Sequence, residues 1–421
     1  MGRVFSYLRA ALTVVLVFVC VSAQATERLS LLIRNVGMDD LRVALDAYTA
    51  KTGIEVDIIQ ARNWPDVIDK AVVYSAGGIA PDLVYGDNVR LSQLAYAGLL
   101  LDLDERVKRS GQLNRMPDPV ISAFRTLFPR HGLYSLPTAL SNRAVLYNAD
   151  AFDDAGLSHP PVEWTSQRWN WETYVSDMKR LTRDIDGDGK PDVFGTASFG
   201  TYGGVNMVEM FGVTLFDPVR NTFNGRDPGF IAAVEKIVAL WTEHGVVGGD
   251  FLQRTAASDH TQARRLHQLL DMERRGDGFN WRVAASPRGE RAISQTSIHG
   301  LGMSLHGKQR DMAWRLLAYL TLDPEGAVLF SCAENRVPVV REAINDFLKR
   351  WNADFPDKNV GVFVTAMDHI SLFTLTSGVG GDERERILLD IWDQIQSGRA
   401  SVRGAFEAAM PAIEATFAAD R

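Results

Sequence analysis

The amino-acid sequence predicts an α/β fold that is finished by a helical C-terminal part. Two observations lead to this prediction. In residues 26–90, apolar runs typical of strands alternate with helical periodicity, which is the pattern of parallel βαβ units. In residues 302–421 helical periodicity continues, but strand signals are few. A chain of 421 residues is long enough for two or three domains with sizeable cores.

The first βαβ unit is predicted from three consecutive segments. LSLLI (29–33) reads as a strand, residues 38–53 as a helix that ends at a glycine, and IEVDII (54–59) as a second strand. The pattern then recurs, because a helix over 67–76 and a glycine turn lead to a short apolar strand at 83–85. The sequence therefore predicts a parallel sheet near the N-terminus.

Later segments have the periodicity of amphipathic helices. One helical face in residues 228–243 carries Phe230, Val234, Ile237, Val238 and Trp241. Residues 309–332 read as helix, turn and helix, and 383–398 and 400–419 as two further helices. Core packing is the default interpretation of the aromatic residues on such faces.

The N-terminus has the pattern of a secretory signal peptide. Arg3 and Arg9 form a basic head, residues 11–21 are apolar, and small residues precede a predicted cleavage after Ala25. The apolar run is shorter than the roughly 20 residues that a spanning helix needs. Cys20 follows VFV rather than the pattern of lipoproteins, so no lipid anchor and no membrane insertion are predicted.

Charge and cysteine content exclude several classes of protein. The formal net charge of −7 becomes −9 when the two arginines of the signal peptide are removed. An acidic chain disfavours nucleic acid and anionic membranes as partners. Cys332 would be the single cysteine of the mature chain, so an internal disulfide is not expected and stability must come from the cores.

No sequence motif of an enzyme is present. The histidines are scattered without metal-ligand spacing, and the nucleophile-elbow and phosphate-binding motifs are missing. Paired carboxylates remain open as a catalytic device, because such pairs form in space rather than in sequence.

The segment RDIDGDGKPDVFG (183–195) resembles a calcium loop in part. Its acids are Asp184, Asp186, Asp188 and Asp192. The first three match positions 1, 3 and 5 of an EF-hand loop, but position 12 is Gly195 instead of a bidentate Glu. A turn between a helix and a strand explains the same residues. We therefore expect a surface turn, with a structural Ca²⁺ as an open possibility and no other cofactor.

Several segments together resemble the family 1 extracellular solute-binding proteins, the binding components of bacterial carbohydrate ABC importers. They are SAGGIAPDLVYGDNVRLSQLAYAGLLLDLDE, GLYSLPTALSNRAVLYNADAFDDAGL, PPVEWTSQRWNWETYVSDMKRLTRDIDGDGKPDVFG, FDPVRNTFNGRDPGFIAAVEKIVALWTEHGVV and SLHGKQRDMAWRLLAYLTLDPEGAVL. IWDQIQSGRASVRGAFEAAM is similar to the C-terminal helices of maltose-binding protein. These segments follow the family order and cover nearly the whole mature chain.

The resemblance implies a two-lobed periplasmic-binding-protein fold of type II, with lobes joined by strand crossovers. Lobe 1 is expected to comprise residues 26–137 and 302–345, and lobe 2 residues 138–301 and 346–421. The implied function is capture of a carbohydrate-type ligand (sugar, oligosaccharide, polyol, or sugar or glycerol phosphate) in the periplasm. The implied partners are ABC permease subunits, and the protein is expected to be a monomer and not an enzyme.

Position in this fold suggests candidate ligand contacts. Asp87, Asn88 and Arg90 follow a predicted strand at its carboxyl end, and Trp64 follows another strand and offers an aromatic platform. A solvated polar loop is the alternative for the first three.

Five further candidates come from other segments. Leu140 and Ser141 follow the first hinge, at Pro137, and Tyr202 lies in a glycine-rich turn. His299 lies near the return crossover, where a structural histidine is equally consistent with the sequence, and Phe373 lies in the C-terminal segment that passes the cleft in relatives.

One departure from the family pattern concerns the second-lobe wall of the cleft. Residues 254–278 are rich in charge where the family has an apolar segment, so ligand contacts there are not transferred. Two alternative functions remain at this point. One is a secreted carbohydrate-active enzyme with paired carboxylates, and the other is a calcium-dependent surface or adhesion module.

Overall fold

The predicted α/β fold is confirmed in a computed structural model, which describes residues 27–34, 36–200, 202–217, 222–372 and 377–417, without the side chains of 202, 203, 217 and 222. The predicted signal peptide lies outside the described residues and stays a prediction.

Helices and strands alternate through the first two thirds of the chain, and helices dominate the last third. The α-helices are α1 (Met38–Thr52), α2 (Trp64–Ala76), α3 (Asn88–Tyr96), α4 (Asp104–Ser110), α5 (Asp118–Arg125), α6 (Ala149–Asp154), α7 (Trp171–Leu181), α8 (Pro228–Thr242), α9 (Arg265–Arg275), α10 (Arg310–Thr321), α11 (Pro324–Glu334), α12 (Arg341–Asp354), α13 (Val362–Thr365), α14 (Gly381–Gln396) and α15 (Val402–Thr416). The 3₁₀ segments are Leu113–Arg115, Pro129–His131, Tyr202–Phe211 and Ala366–His369.

The strands are β1 (Arg28–Arg34), β2 (Glu55–Ala61), β3 (Leu83–Asp87), β4 (Ser135–Asn148), β5 (Phe216–Asp217), β6 (Thr222–Phe223), β7 (Ser258–Gln262), β8 (Trp281–Ala284), β9 (Ser294–Met303), β10 (Val337–Pro338) and β11 (Ile370–Leu372). The main sheet has the order β10-β4-β9-β3-β1-β2, and β7, β8 and β11 pair beside this path. The short β5–β6 hairpin forms a separate sheet.

The N-terminal βαβ unit forms as the sequence predicts. β1 pairs in parallel with β2 and with β3. The connecting helix α1 buries Leu41, Ala44, Leu45 and Tyr48. Gly53 ends this helix with a φ of 74°, a left-handed conformation that glycine adopts without steric cost.

Strand β4 is long enough to serve both halves of the molecule. Its first part, residues 135–142, pairs with β9. Its second part, residues 143–148, pairs with β7 and β8. The change of partners between Asn142 and Arg143 is a strand crossover between the two lobes, and a register shift between Pro137 and Ala139 precedes it.

The buried residues form two hydrophobic cores, which share the second part of β4. The first contains residues of β1 and β3, of helices α10 to α12, and of α9 and β8, and it includes Ala144 and Leu146 of β4. The second contains Val145 and Tyr147 of β4 together with residues of α7, α8, α14 and α15. These cores agree with a two-lobed molecule, while the lobe boundaries drawn from the sequence stay a prediction.

Within the described ranges, no single helix is long and apolar enough to cross a membrane. Helices α10 and α11 reach that length and composition only when they are counted together across a 74° bend.

Candidate ligand-binding cleft

The carboxyl ends of β1, β2 and β3 meet at one edge of the main sheet. Arg34 ends β1 and pairs in register with Ala61 at the end of β2. Asp87 ends β3 and lies opposite His299 of β9. Ligands of open α/β sheets bind at this kind of edge. Side chains that follow these strand ends are therefore the first candidates for a ligand site.

Three rings form a group at this edge. Trp64 is the first residue of α2, and Asn63 caps the helix by accepting a hydrogen bond from the Asp66 backbone N–H at 2.9 Å. The ring centroid of Trp64 lies 6.2 Å from that of Tyr85 and 5.9 Å from that of His299. Tyr85 is fully buried, whereas Trp64 is half-buried. Trp64 thus rests on core aromatics and keeps part of its ring accessible.

A hydrogen-bonded chain runs from Arg336 through Ser141 to His299. The Nε–H of Arg336 donates to Ser141 Oγ at 3.1 Å, and Ser141 Oγ lies 3.1 Å from His299 Nε2. Burial, reinforced by Arg336 and Arg34, lowers the pKa of His299 well below its usual value, so the ring is neutral. We assign the direction of these hydrogen bonds so that the Ser141 hydroxyl donates to His299 Nε2, which places the imidazole proton on Nδ1.

Glu334 is a buried carboxyl group directly behind this chain. Its Oε1 accepts hydrogen bonds from the hydroxyls of Tyr85 and Thr138, both at 2.8 Å. Burial raises the pKa of Glu334 to about 7, although Arg336 and the two hydroxyls act in the opposite direction. Glu334 therefore carries at most a partial negative charge at neutral pH.

The other side of the crossover is also polar and well ordered by hydrogen bonds. Arg143 donates to the backbone carbonyl of His260 at 2.7 Å. Asp259 is buried, lies 3.2 Å from Arg265, and accepts a 2.6 Å hydrogen bond from Ser198. These residues belong to β7 and its neighbours, so the charge-rich segment 254–278 contributes both a strand and helix α9 beside the crossover.

The three polar residues predicted after β3 all have internal partners. Asp87 caps α3 by accepting the Arg90 backbone N–H at 3.0 Å, and Asn88 Oδ1 accepts the Ile298 backbone N–H at 3.1 Å. Arg90 lies 3.5 Å from Asp87, and also 3.5 Å from both Asp382 and Glu385 of α14. These contacts are sufficient to explain the three residues as structural, and a ligand role for them stays a prediction.

The remaining predicted contacts have different environments. Ser141 and His299 lie in the hydrogen-bonded chain, close to Trp64. Leu140 is fully buried in the first core. Tyr202 begins a 3₁₀ segment, and its side chain is not among those described. Phe373 lies outside the described residues. The structure thus brings together three of the predicted contacts: Trp64, Ser141 and His299.

Several charged and aromatic residues at or near this edge were not predicted from the sequence: Arg34, Tyr85, Arg264, Glu334 and Arg336. Arg34 and Tyr85 lie at predicted strand ends, so the rule that selected Asp87 applies to them equally. Glu334 and Arg336 flank Asn335, whose φ of 52° marks the sharp turn between α11 and β10. That turn is the one local signal that the sequence offered for the latter pair.

The acidic loop lies outside the Trp64–Ser141–His299 group. Carboxylate oxygens of Asp184, Asp186 and Asp188 lie within 4.8 Å of one another, and all three residues are exposed. Backbone N–H groups already bind these carboxylates, since Asp184 accepts from Gly187 at 2.7 Å and from Gly189 at 2.8 Å. Asp192 accepts from the Ile185 backbone N–H at 2.6 Å. The predicted surface turn is present, and a calcium ion in it stays a prediction.

Two grooves lie elsewhere on the surface. One of about 660 Å³ lies between α7 and α8 and is lined by residues such as Glu172, Lys179 and Lys236. Another of about 460 Å³ includes Trp164 and His369, whose rings stack at 5.3 Å. Neither groove contains a ligand contact predicted from the sequence, so the strand-end cleft remains the best candidate site.

Two lobes joined by strand crossovers, with a polar and aromatic site where they meet, define the class of two-lobed solute-binding proteins. A sequence profile of the family described as bacterial extracellular solute-binding protein matches residues 37–327, which is more than half of the chain. The chain belongs to this family, and the resemblance seen in its sequence is confirmed.

Solved structures and a curated relative agree with this assignment. UgpB from Mycobacterium tuberculosis, in complex with glycerophosphocholine, matches with a TM-score of 0.74 and 20% identity over 93% of this chain and 99% of that chain. The ABC substrate-binding protein Lmo0181 from Listeria monocytogenes, in complex with cycloalternan, matches with a TM-score of 0.73 and 17% identity over 93% and 99%. At these identities the likeness shows the type II fold alone.

The curated relative is an uncharacterized lipoprotein in the oleD 5′ region from Streptomyces antibioticus, 23% identical over 316 residues. The match covers 70% of this chain, and the chain spans 65% of the length of that relative. Membership of an extracellular family and this lipoprotein relative both indicate an exported protein.

Proposed function

We propose that this protein is the binding component of a bacterial ABC importer and captures a carbohydrate-type ligand between its two lobes. The observation that carries the proposal is the half-buried Trp64 ring, which is supported by Tyr85 and His299 at the strand-end cleft. The ligand class comprises sugars, oligosaccharides, polyols, and sugar or glycerol phosphates.

The chemistry of the cleft suits such ligands. A sugar presents C–H groups on one face and hydroxyls around its edge, so it needs an apolar wall and a few placed polar groups. Trp64 offers the wall. Arg34 and His299 lie beside its ring, Arg336 is linked to His299 through Ser141, and these three residues offer hydrogen-bond donors. Hinge closure at the crossover would bring the second-lobe residues onto the opposite side of the ligand.

The bound molecules of the two solved relatives support the same ligand class. Cycloalternan is the ligand of the Listeria protein, and glycerophosphocholine is that of the Mycobacterium protein. One is a carbohydrate and the other a glycerol phosphodiester, and both expose hydroxyl or phosphate oxygens. We propose this shared chemistry for the ligand of the present protein, but we do not propose either of the two molecules as that ligand.

The test of this function is a thermal-shift screen of the mature protein against neutral sugars, polyols, and sugar and glycerol phosphates. A ligand at 100 times its dissociation constant should raise the free energy of unfolding by about 2.7 kcal/mol. Amino acids, polyamines and metal salts serve as controls. A stabilising amino acid or polyamine, with no response to any carbohydrate or polyol, would overturn the proposed ligand class.

We further propose that binding occurs without catalysis and that the protein acts as a monomer. Incubation of each stabilising ligand with the protein, followed by product analysis, should return the ligand unchanged. Turnover would favour the alternative of a carbohydrate-active enzyme. Size-exclusion chromatography with light scattering should give a single-chain mass, and the ATPase rate of the matching permease should rise when the loaded protein is added.

The finer localisation is proposed to be periplasmic, with cleavage after Ala25 and without a lipid anchor. Mass spectrometry of the exported protein should then give an N-terminus at Thr26. The lipoprotein relative defines the competing outcome, which is a lipid-modified N-terminus at Cys20.

A further inference from the structure

Three arginines converge on the cleft, and none of them forms an ion pair with a carboxylate of the described residues. Arg34 ends β1, and its guanidinium carbon lies 4.7 Å from the centre of the Trp64 ring. A guanidinium over an indole face gains a cation–π interaction and keeps the edges that carry its N–H groups available. Among the described residues, no Asp or Glu forms an ion pair with Arg34.

Arg336 lies on the other side of the Trp64–His299 pair. Its Nε–H donates to Ser141 Oγ at 3.1 Å, and one Nη donates to the Glu334 backbone carbonyl at 2.7 Å. These two bonds fix the direction of the guanidinium and use two of its five N–H donors. Within the described part of the chain, Arg336 also has no ion-pair partner.

Arg264 approaches from the opposite wall. It follows β7 and directly precedes α9, whose first turn contains no acidic residue and no side-chain cap. Its one side-chain hydrogen bond in the described part of the chain runs from Nε to Gln262 Oε1 at 3.2 Å, and the residue is exposed. Partial burial of the side chain, followed by the charges of Arg265, Arg336 and Arg34, lowers the pKa of Arg264. Gln262, two residues earlier, pairs with Arg143 at the crossover, so Arg264 lies on the second-lobe side of the cleft, close enough for the charges of Arg34 and Arg336 to act on it.

The acidic groups nearby do not balance these charges. Asp259 is the carboxylate that acts on Arg264, but it is already bound to Arg265 and to Ser198. Glu334 is buried, and its carboxyl group is only partly ionised at neutral pH because its pKa is about 7. Asp87 is buried against Arg90. The cleft between the lobes is therefore positive in a chain whose net charge is −7.

We infer that the ligand of this cleft carries an oxyanion, a phosphate ester or a carboxylate on a sugar or polyol, which Arg34 and Arg336 bind from one lobe and Arg264 from the other. The inference rests on the proposed function and narrows its ligand class. Arginine is well suited to the task, because its planar fork matches the oxygens of phosphate and carboxylate.

His299 is the fourth donor of this site. It is 4% exposed, and its Nδ1 has no hydrogen-bond partner among the described residues. With Ser141 donating to Nε2, the proton on Nδ1 makes this atom a donor. A buried donor without a partner costs free energy unless a ligand oxygen satisfies it. Trp64 would contact the carbon skeleton that carries the anion.

The experiment measures dissociation constants by calorimetry for matched pairs of ligands. The pairs are glycerol with sn-glycerol 3-phosphate, glucose with glucose 6-phosphate, and glucose with glucuronate. We expect at least one anionic member to bind at least tenfold more tightly than its neutral partner, and the phosphate and uronate arms identify which oxyanion is preferred. Because screening weakens contacts between charges, affinity should fall several-fold between 50 mM and 500 mM salt.

Two variants decide whether the cleft arginines are responsible. Arg264→Gln removes an exposed charge and should raise the dissociation constant of the anionic ligand at least tenfold. Arg274→Gln removes an exposed charge from the last turn of α9, where Arg274 lies 3.8 Å from Asp271, and should change affinity less than twofold. Folding of both variants is checked by their melting temperatures.

The outcomes separate this inference from the proposed function. Equal or tighter binding of neutral members, or equal losses in the two variants, overturns the inference and leaves the carbohydrate-binding function in place. If no sugar, polyol or phosphate binds the folded protein at all, the proposed function fails and the inference fails with it.

Discussion

Trp64 combines a structural and a proposed ligand-binding role in one side chain. One side packs on buried Tyr85 and His299, and Arg34 lies over its ring. We predict that Trp64→Ala weakens ligand binding by about 1–3 kcal/mol, the usual loss for a stacked aromatic side chain. Calorimetry with the tightest ligand from the screen measures the effect.

A matched control for this change is Trp314→Ala. Trp314 is half-buried against the same core but belongs to α10, away from the strand ends. Both variants should lose some stability, because each removes an aromatic contact with the core. Only the Trp64 variant should lose affinity, and equal affinities in the two variants would remove Trp64 from the site.

Glu334 should make stability depend on pH in a definite direction. Its pKa is raised from 4.5 to about 7 in the folded protein, because burial disfavours the charged form. Between these pH values the folded state binds more protons than the unfolded state. The free energy of unfolding therefore falls as pH rises through this window, by roughly 3 kcal/mol in all, and is unaffected by this group below about pH 4.5.

The test compares wild type with Glu334→Gln in urea unfolding at pH 4.5 and pH 7.5. Glutamine retains an acceptor for Tyr85 and Thr138 but does not titrate. The variant should gain stability relative to wild type as pH rises, while other titrating groups contribute equally to both proteins. If the free energy of unfolding changes equally with pH in the two proteins, Glu334 has an ordinary pKa.

At the scale of elements, the acidic loop at 184–192 should be separable from ligand binding. If the predicted calcium ion binds there, it would be held by Asp184, Asp186 and Asp188, whose carboxylates otherwise repel one another. Calcium should then raise the melting temperature of wild type and should not raise that of the Asp186→Asn, Asp188→Asn variant. Ligand affinity should stay within a few-fold in both proteins.

The backbone hydrogen bonds of this loop provide a reason why calcium would not stabilise the protein. Asp184 and Asp192 accept backbone N–H groups, so the turn is closed without an ion. A wild-type melting temperature that chelation leaves unchanged would identify the loop as a plain turn. Loss of ligand affinity in the double variant would instead make the loop part of the binding site.

Elements with strong local signals were predicted well from the sequence. The βαβ unit and α1, with its terminal Gly53, depend on periodicity and on one glycine, both of which are local. The strand expected after the acidic loop was predicted less well. Residues 193–196 form isolated bridges with partners as distant as Val247 and Ala256, and such partners are not visible in a local pattern.

The site was predicted in part for the same reason. Trp64 follows a recognisable strand, and Ser141 and His299 lie near recognisable crossovers, so position alone selected them. Arg264 and Arg336 were missed because no local feature shows that residues so far apart in sequence approach each other. Arg90 was selected by position, yet its carboxylate partners on α14 could not be foreseen.

At the scale of the whole molecule, Arg90 is predicted to hold α3 against α14. Its side chain is 11% exposed and lies 3.5 Å from Asp87, Asp382 and Glu385. Arg90→Met keeps the aliphatic stem but leaves Asp87 buried without its partner. We expect a loss of roughly 2–4 kcal/mol in the free energy of unfolding. This is somewhat less than the loss for breaking a fully buried ion pair, because Asp382 is half-exposed.

Arg386→Met is the control for this prediction. Arg386 lies on α14, the helix that carries Asp382 and Glu385, and pairs with Glu383, but both side chains are largely exposed. Its loss should cost at most about 1 kcal/mol. If Arg90→Met instead retains stability and loses ligand affinity, Arg90 is the ligand contact that its position after β3 originally suggested.

The exchange of partners along β4 has a consequence for the order in which the chain folds. The strand that completes the first lobe is β9, which pairs with β3 and β4. Leu83 of β3 pairs with Met303, and Ser135 of β4 pairs with Gly302, so both strands lack a partner until β9 has been made. Contacts between residues so far apart in sequence make folding slow. During synthesis the first two thirds of the chain therefore cannot close its sheet. For an exported protein that delay is useful, since a chain that is still open can be threaded through a translocation pore.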